Sequence, residues 1–172
     1  MNGLILLDIE KENKKILLSA CKKYIPDQEN GILLIKPDIK ENEKIWTKFI
    51  STENFKVNCF CQINIIGKKK NIKTNYFFVG GFDTQKRQGL IKLYRVVFNK
   101  EKDINIEFLE DIIFDDDKVL EGFEGTINCI IQSKSNGIIL VSCWDTKIYA
   151  FSKPNIYYYL DEENYRFLLK II

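Results

Sequence analysis

Val57-Asn58-Cys59-Phe60-Cys61-Gln62 returns later in the chain as Ile127-Asn128-Cys129-Ile130-Ile131-Gln132, and Phe82-Asp83-Thr84 returns in the same order as Trp144-Asp145-Thr146. A chain that repeats itself at such spacings is built from units that cannot bury their apolar faces alone and therefore stack. This constraint acts before any single residue is given a role.

The units read as β-structure. In the clearest copy, apolar runs of strand length (Thr126 to Gln132, Ile138 to Cys143, Lys147 to Phe151) are separated by Ser135-Asn136-Gly137 and by a turn at Asp145. Short β-rich runs bounded by Asn, Gly, Asp and Ser predict successive antiparallel strands. The middle copy follows the same plan with Lys56 to Ile66, Tyr76 to Phe82 and Leu90 to Phe98, and with inserted loops at Gly67 to Asn75 and Gln85 to Gly89. A fainter copy opens the chain with Leu4 to Asp8, Lys15 to Cys21 and Gly31 to Lys36, the last after a turn holding Pro26-Asp27. Each copy gains a fourth candidate strand: Ile45 to Ile50, Ile104 to Ile113, and either Ile156 to Leu160 or Tyr165 to Ile172. The expectation is an all-β chain, a single partial domain over 1-172, with three four-stranded antiparallel units at about 2-50, 56-113 and 126-172.

Four short strands with an Asp turn before the third form the plan of a β-propeller blade. Ser142-Cys143-Trp144-Asp145-Thr146-Lys147-Ile148-Tyr149-Ala150-Phe151 resembles the WD-repeat segment in which an Asp holds a tight turn and an aromatic ends the next strand. The chain contains no His, so the Gly-His dipeptide of that pattern is missing, and the copies are longer than the usual repeat of about 40 to 45 residues. Tyr76-Phe77-Phe78-Val79-Gly80-Gly81, a polar loop, then Arg87-Gln88-Gly89-Leu90-Ile91-Lys92-Leu93-Tyr94 resembles the propeller of the large subunit of the cleavage and polyadenylation specificity factor, a superfamily that includes the large damaged-DNA-binding protein. Glu53-Asn54-Phe55-Lys56-Val57 and Gly122-Phe123-Glu124-Gly125-Thr126-Ile127 are similar to two further segments of that family. Gly81 stands where the family has Thr, and Gln88-Gly89-Leu90 replaces its Gly-Arg-Ile. The resemblance implies a non-enzymatic scaffold in messenger RNA 3′-end processing, located in the nucleus, that holds other protein subunits and meets RNA through them. A generic WD-repeat adaptor for complex assembly, nuclear or cytoplasmic, is the alternative, with a direct RNA-binding propeller using Lys68, Lys69, Lys70 and Lys73 as a second.

Closed propellers have four to eight blades because each covers the flank of its neighbour. Three blades leave two flanks bare. At ~500 Å² of apolar surface each, about 25 kcal/mol of burial is unrealised at ~25 cal/mol per Å², an upper bound that exceeds the stability of an ordinary domain. The chain is therefore expected to be part of a propeller completed by other polypeptide.

Individual residues fit that picture. Asp83 and Asp145 occupy corresponding positions, and we read them as turn clamps accepting backbone amides in preference to acidic ligands. Cys59 and Cys61 share one face of a strand, and Cys129 matches Cys59. With no His, a zinc site would have to draw its remaining ligands from Cys21, Cys129 and Cys143, so we read these as buried thiols packed as small hydrophobes, with no metal or other cofactor. Five cysteines at irregular spacings fit reduced thiols better than a disulfide framework. Lys68, Lys69, Lys70 and Lys73 form the strongest basic run, and they offer phosphate contacts without an interleaved aromatic for base stacking. Asp115-Asp116-Asp117 reads as a charged connection. Tyr157 and Tyr159 are candidates for a protein interface at the last unit.

Several function classes recede. A formal charge of +2 is too small to drive nucleic-acid or membrane binding by itself. No apolar run approaches the roughly 18 residues of a bilayer span, and the opening residues lack a signal-peptide pattern, so a soluble intracellular protein without a small-molecule substrate is expected. No His serves as general base, and no Gly-rich phosphate loop or Gly-x-Ser-x-Gly nucleophile motif is present, so no catalytic residue is assigned.

Overall fold

The computed structural model describes residues 3–9, 14–21, 29–36, 46–66, 71–98, 104–111 and 123–151, with the side chains of 65–66, 71–74 and 110–111 left aside. Every regular element among them is a strand: β1 (Leu4–Ile9), β2 (Lys14–Cys21), β3 (Asn30–Ile35), β4 (Thr47–Glu53), β5 (Phe55–Ile66), β6 (Asn71–Asp83), β7 (Gln88–Phe98), β8 (Ile104–Asp111), β9 (Ile127–Gln132), β10 (Ile139–Cys143) and β11 (Ile148–Phe151). The strands form three antiparallel meanders, β1-β2-β3-β4, β5-β6-β7-β8 and β9-β10-β11, three blade-like sheets in chain order. The expected fourth strand of the last sheet, whether from Ile156 or from Tyr165, lies outside the described residues, as do Pro26-Asp27 and Asp115-Asp116-Asp117.

Two expected loops are shorter than the sequence indicates. Asn71 to Asn75 belongs to β6, because β5 runs on to Ile66 and pairs Ile65 with Ile72 and Ile66 with Asn71. Its polar composition reads as a loop, whereas its backbone pairs with β5 as a strand. Gln88 and Gly89 likewise open β7, paired with Asp83 and Phe82, so the turn is confined to Thr84–Arg87.

Apolar side chains on both faces of the second sheet make it the middle layer. Phe55, Val57, Phe60, Phe77, Val79, Tyr94 and Val96 pack with Leu7, Ile9, Ile16, Leu18, Ile32 and Leu34 of the first sheet in one core. Cys59, Cys61, Ile63, Phe78, Ile91 and Leu93 pack with Ile127, Ile130, Ile139, Val141 and Phe151 of the third in another. The first core is crossed by an aromatic row, with Phe77 stacked on Tyr94 at 5.7 Å and Tyr94 edge-on to Phe108 at 5.5 Å. Such pairs add about 0.5–1.5 kcal/mol each beyond simple burial.

The recurring phrase has a backbone meaning. In β5, Val57 pairs with Gly81 and Cys59 with Gly80, which leaves Asn58 as an extra, bulged residue. In β9 the ladder steps from Cys129↔Ser142 to Ile127↔Cys143, which bulges Asn128 in the same way. A bulge shifts the pleat by one residue. Val57 and Phe60 therefore both face the first sheet, and Ile127 and Ile130 both face the second, although simple alternation would set each pair on opposite sides.

Candidate functional site

The seams between sheets are built by equivalent residues. Gln62, at the end of the first copy of the phrase, donates from Nε2 to the Asp8 carbonyl at 2.9 Å and accepts the Asp8 amide on Oε1 at 3.3 Å. Gln132, at the end of the second copy, donates to the Asn64 carbonyl at 3.0 Å and accepts the Asn64 amide at 2.8 Å. Each glutamine thus grips the backbone of the innermost strand one sheet earlier, β1 and β5 respectively. The bulged Asn58 adds a bond from Nδ2 to the Ile127 carbonyl at 3.1 Å, and Gly89 and Phe123 exchange backbone bonds at 2.8 and 3.1 Å. Nothing in the residue types alone marks these glutamines. Their signal is position, because both close the repeated phrase.

The repeated aspartates sit in corresponding turns. Asp83 is buried and its Oδ1 accepts the amides of Gln85 and Lys86, both at 2.9 Å. Asp145 accepts the Lys147 amide at 3.0 Å and the Tyr149 hydroxyl, in a tighter turn whose Thr146 has φ 67°. Partial burial would raise the Asp145 carboxyl, but the Tyr149 hydroxyl, the Lys147 amide and the Cys143 thiol outweigh it and hold the pKa below the usual range. Partial burial first, and the Asp145 carboxylate second, push the Tyr149 phenol up. Both carboxylates spend their lone pairs on local donors.

The thiols divide by layer. Burial pushes Cys59 and Cys61 up to about 12, far from the range of a thiolate nucleophile. All five cysteines are free. Cys129 departs from the expectation of burial drawn from its match to Cys59: it is exposed, because it lies on the outward face of the third sheet. Among the described residues no group of three or more His, Cys, Asp or Glu side chains is placed to hold a metal, and no helix is long and apolar enough to cross a membrane. Lys68, Lys69, Lys70, Tyr157 and Tyr159 lie outside the described residues, and Lys73 is placed only by its backbone, opposite Asn64.

Among the described residues, the exposed apolar side chains Leu4, Leu6, Phe49, Ile131 and Ile148 lie on the outward faces of the first and third sheets. Strand register matches these two faces to faces that are covered inside the stack. On the third sheet, Ile131–Leu140–Ala150 and Cys129–Ser142–Ile148 form two cross-strand rows. The corresponding rows of the second sheet are Cys61–Phe78–Leu93 and Cys59–Gly80–Ile91, which the third sheet covers. On the first sheet, Leu4–Ser19–Leu33–Phe49 and Leu6–Leu17–Ile35–Thr47 form the outward rows. Their counterparts in the second sheet begin Phe60–Val79 and Gln62–Phe77–Tyr94, on the face the first sheet covers. Position for position the contrast is large: Ile148 is 75% exposed where Ile91 is 1%, and Leu4 is 65% exposed where Phe60 is 8%.

No protein-family model, curated protein or solved structure matches this chain. The functional reading therefore rests on its own geometry and on the motif resemblance described above.

Proposed function

We propose that this chain is a non-enzymatic scaffold, part of a β-propeller whose open sheet faces dock other protein chains. The observation that carries the reading is the pair of outward faces whose apolar rows repeat, residue for residue, rows that are buried inside the stack. Contiguous exposed apolar surface of this kind marks protein interaction sites. The chemistry within the described residues supports the same reading: the repeated carboxylates are engaged by local donors and the buried thiols are held neutral.

The resemblance of 76–96 and its flanking segments to the cleavage and polyadenylation specificity factor propeller makes the messenger RNA 3′-end processing machinery the proposed setting, in the nucleus, with RNA met through partner subunits. Affinity purification of the full chain from its source cell tests this. Recovery of an endonuclease and poly(A)-related factors is the expected outcome. Reproducible recovery of a stable complex lacking them would replace it with the generic adaptor reading.

A further inference from the structure

We propose that the outward faces of the first and third sheets are the two halves of one interface, and that a second copy of this chain supplies the missing half to each. Three sheets from one copy followed by three from its partner then close a ring, and six blades fall within the four to eight that propellers use.

The chain itself shows which face belongs on which. At the seam between the second and third sheets, a face bearing Cys59, Cys61, Phe78, Ile91 and Leu93 meets the opposite kind of face on the next sheet. At the seam between the first and second sheets the same order holds, with Leu18, Ile32 and Leu34 occupying the register positions of Phe78, Ile91 and Leu93. The third sheet's outward face is again of the first kind and the first sheet's outward face is of the second kind. One chain therefore ends in the two unlike halves of a seam that it builds twice internally. Heterologous halves of this sort make a ring when the rotation closes. The rows named above carry no charged side chain, and the next row on the first sheet sets Asp8 opposite Lys15, two opposite charges, so joining the faces strands no unbalanced charge. Two seams, each burying ~500 Å² on both sides, would total about 2,000 Å², at the upper end of the range of standard stable interfaces.

The new seam differs from the internal ones in one respect. Leu6 stands at the register position of Gln62 and Gln132, so the polar grip on the neighbouring strand is missing. An apolar seam without that grip is weaker, and the dimer should dissociate on dilution.

Leu6 and Ile131 would lie close across it, because at the internal seam their counterparts are Gln132, whose backbone amide bonds the Cys61 thiol, and Cys61 itself. Both side chains are about half exposed and lie outside the two cores. The test is light scattering on the full chain over a dilution series, with Leu6→Lys, Ile131→Glu and an equimolar mixture of the two, and with circular dichroism to establish that each variant keeps its strands. The expected mass for the natural chain is twice 20.2 kDa, falling toward 20.2 kDa on dilution. Each variant alone should be monomeric, and the mixture should regain the dimer, since one of its seams is unaltered and the other sets Lys against Glu. A natural chain monomeric at every concentration, open-ended oligomers, a dimer indifferent to either charge, a dimer sensitive to only one, or a mixture that stays monomeric would each overturn the proposal. The ring rests on the same two open faces as the proposed function and names a second copy as the chain that docks there; loss of the dimer would remove that occupant, while the co-purification experiment separately reads the proposed cellular setting.

Discussion

Replacing Gln132 by Leu removes the grip on Asn64 while keeping most of the side-chain volume. The two shortest bonds at stake are neutral, Nε2–H to the Asn64 carbonyl at 3.0 Å and the Asn64 amide to Oε1 at 2.8 Å, beside longer ones from Asn64 Nδ2 to Oε1 at 3.3 Å and from Nε2 to the Gly137 carbonyl at 3.4 Å. Each of the two shortest contributes about 0.5–1.5 kcal/mol net, so the variant should lose about 1–3 kcal/mol. The loss should be local before it is global, because β5 and β9 are held together at this point while the ladder within each sheet is untouched. A central value of about 2 kcal/mol corresponds to roughly 30-fold faster exchange of the Asn64 amide. Native-state hydrogen exchange by NMR reads that amide directly, and urea unfolding reads the total. Gln62→Leu should release the Asp8 amide in the same way, by somewhat less, since its accepted bond is longer at 3.3 Å. If Gln132→Leu leaves both the Asn64 exchange rate and the urea midpoint unchanged, the glutamine does not join the sheets and the equivalence of the two seams is lost.

Three further outcomes follow from the same geometry. A Cβ at Gly80 would lie 2.6 Å from Ile127 Cγ2 and 2.8 Å from Ile130 Cδ1, so Gly80→Ala should destabilise by about 1–3 kcal/mol in urea unfolding through overpacking of the seam between the second and third sheets. Asp83→Ala removes two amide bonds in a buried turn and should cost about 1–3 kcal/mol, measured by the same unfolding curves, whereas Tyr149→Phe, which removes a single bond to the more open Asp145, should cost less. The Cys59 and Cys61 thiols ionise near 9.0 when unfolded and only near 12 when folded, because burial disfavours the thiolate. Their contribution to stability is therefore complete below pH 9 and is lost as pH rises toward 12. Stability measured against pH should fall more steeply over that window in the natural chain than in Cys59→Ala. In the folded chain at pH 8, Cys129 should react with a thiol reagent well before either of them.

The strands were legible because their apolar runs end at turn residues, and every strand end except the end of β4 at Glu53 and the start of β6 at Asn71 sits within two residues of the expected one. The extension of β6 through Asn71 was not, since Asn71-Ile72-Lys73-Thr74-Asn75 has loop-like composition and its pairing with the end of β5 is not written in that composition. The bulges at Asn58 and Asn128 escape a period-two reading, which has no way to register one extra residue. The case of Cys129 shows why a repeat cannot by itself assign burial. It occupies the same place in the repeated phrase and in its ladder as Cys59, yet exposure depends on what stands against the sheet, and among the described residues only Cys59 has a sheet there. For the same reason the two outward faces could be anticipated as bare flanks but not assigned residue by residue, because that required the register of all three sheets.

The central claim is that the two copies of the repeated phrase are innermost strands of adjacent, face-packed sheets, and NOE spectroscopy tests it most directly. Cross-peaks from the Gly80 α-protons to the methyl groups of both Ile127 and Ile130 are predicted, since those methyls crowd the open side of Gly80. Their absence, with Ile127 and Ile130 in contact with some other part of the chain, would contradict the stack and every functional inference built on it.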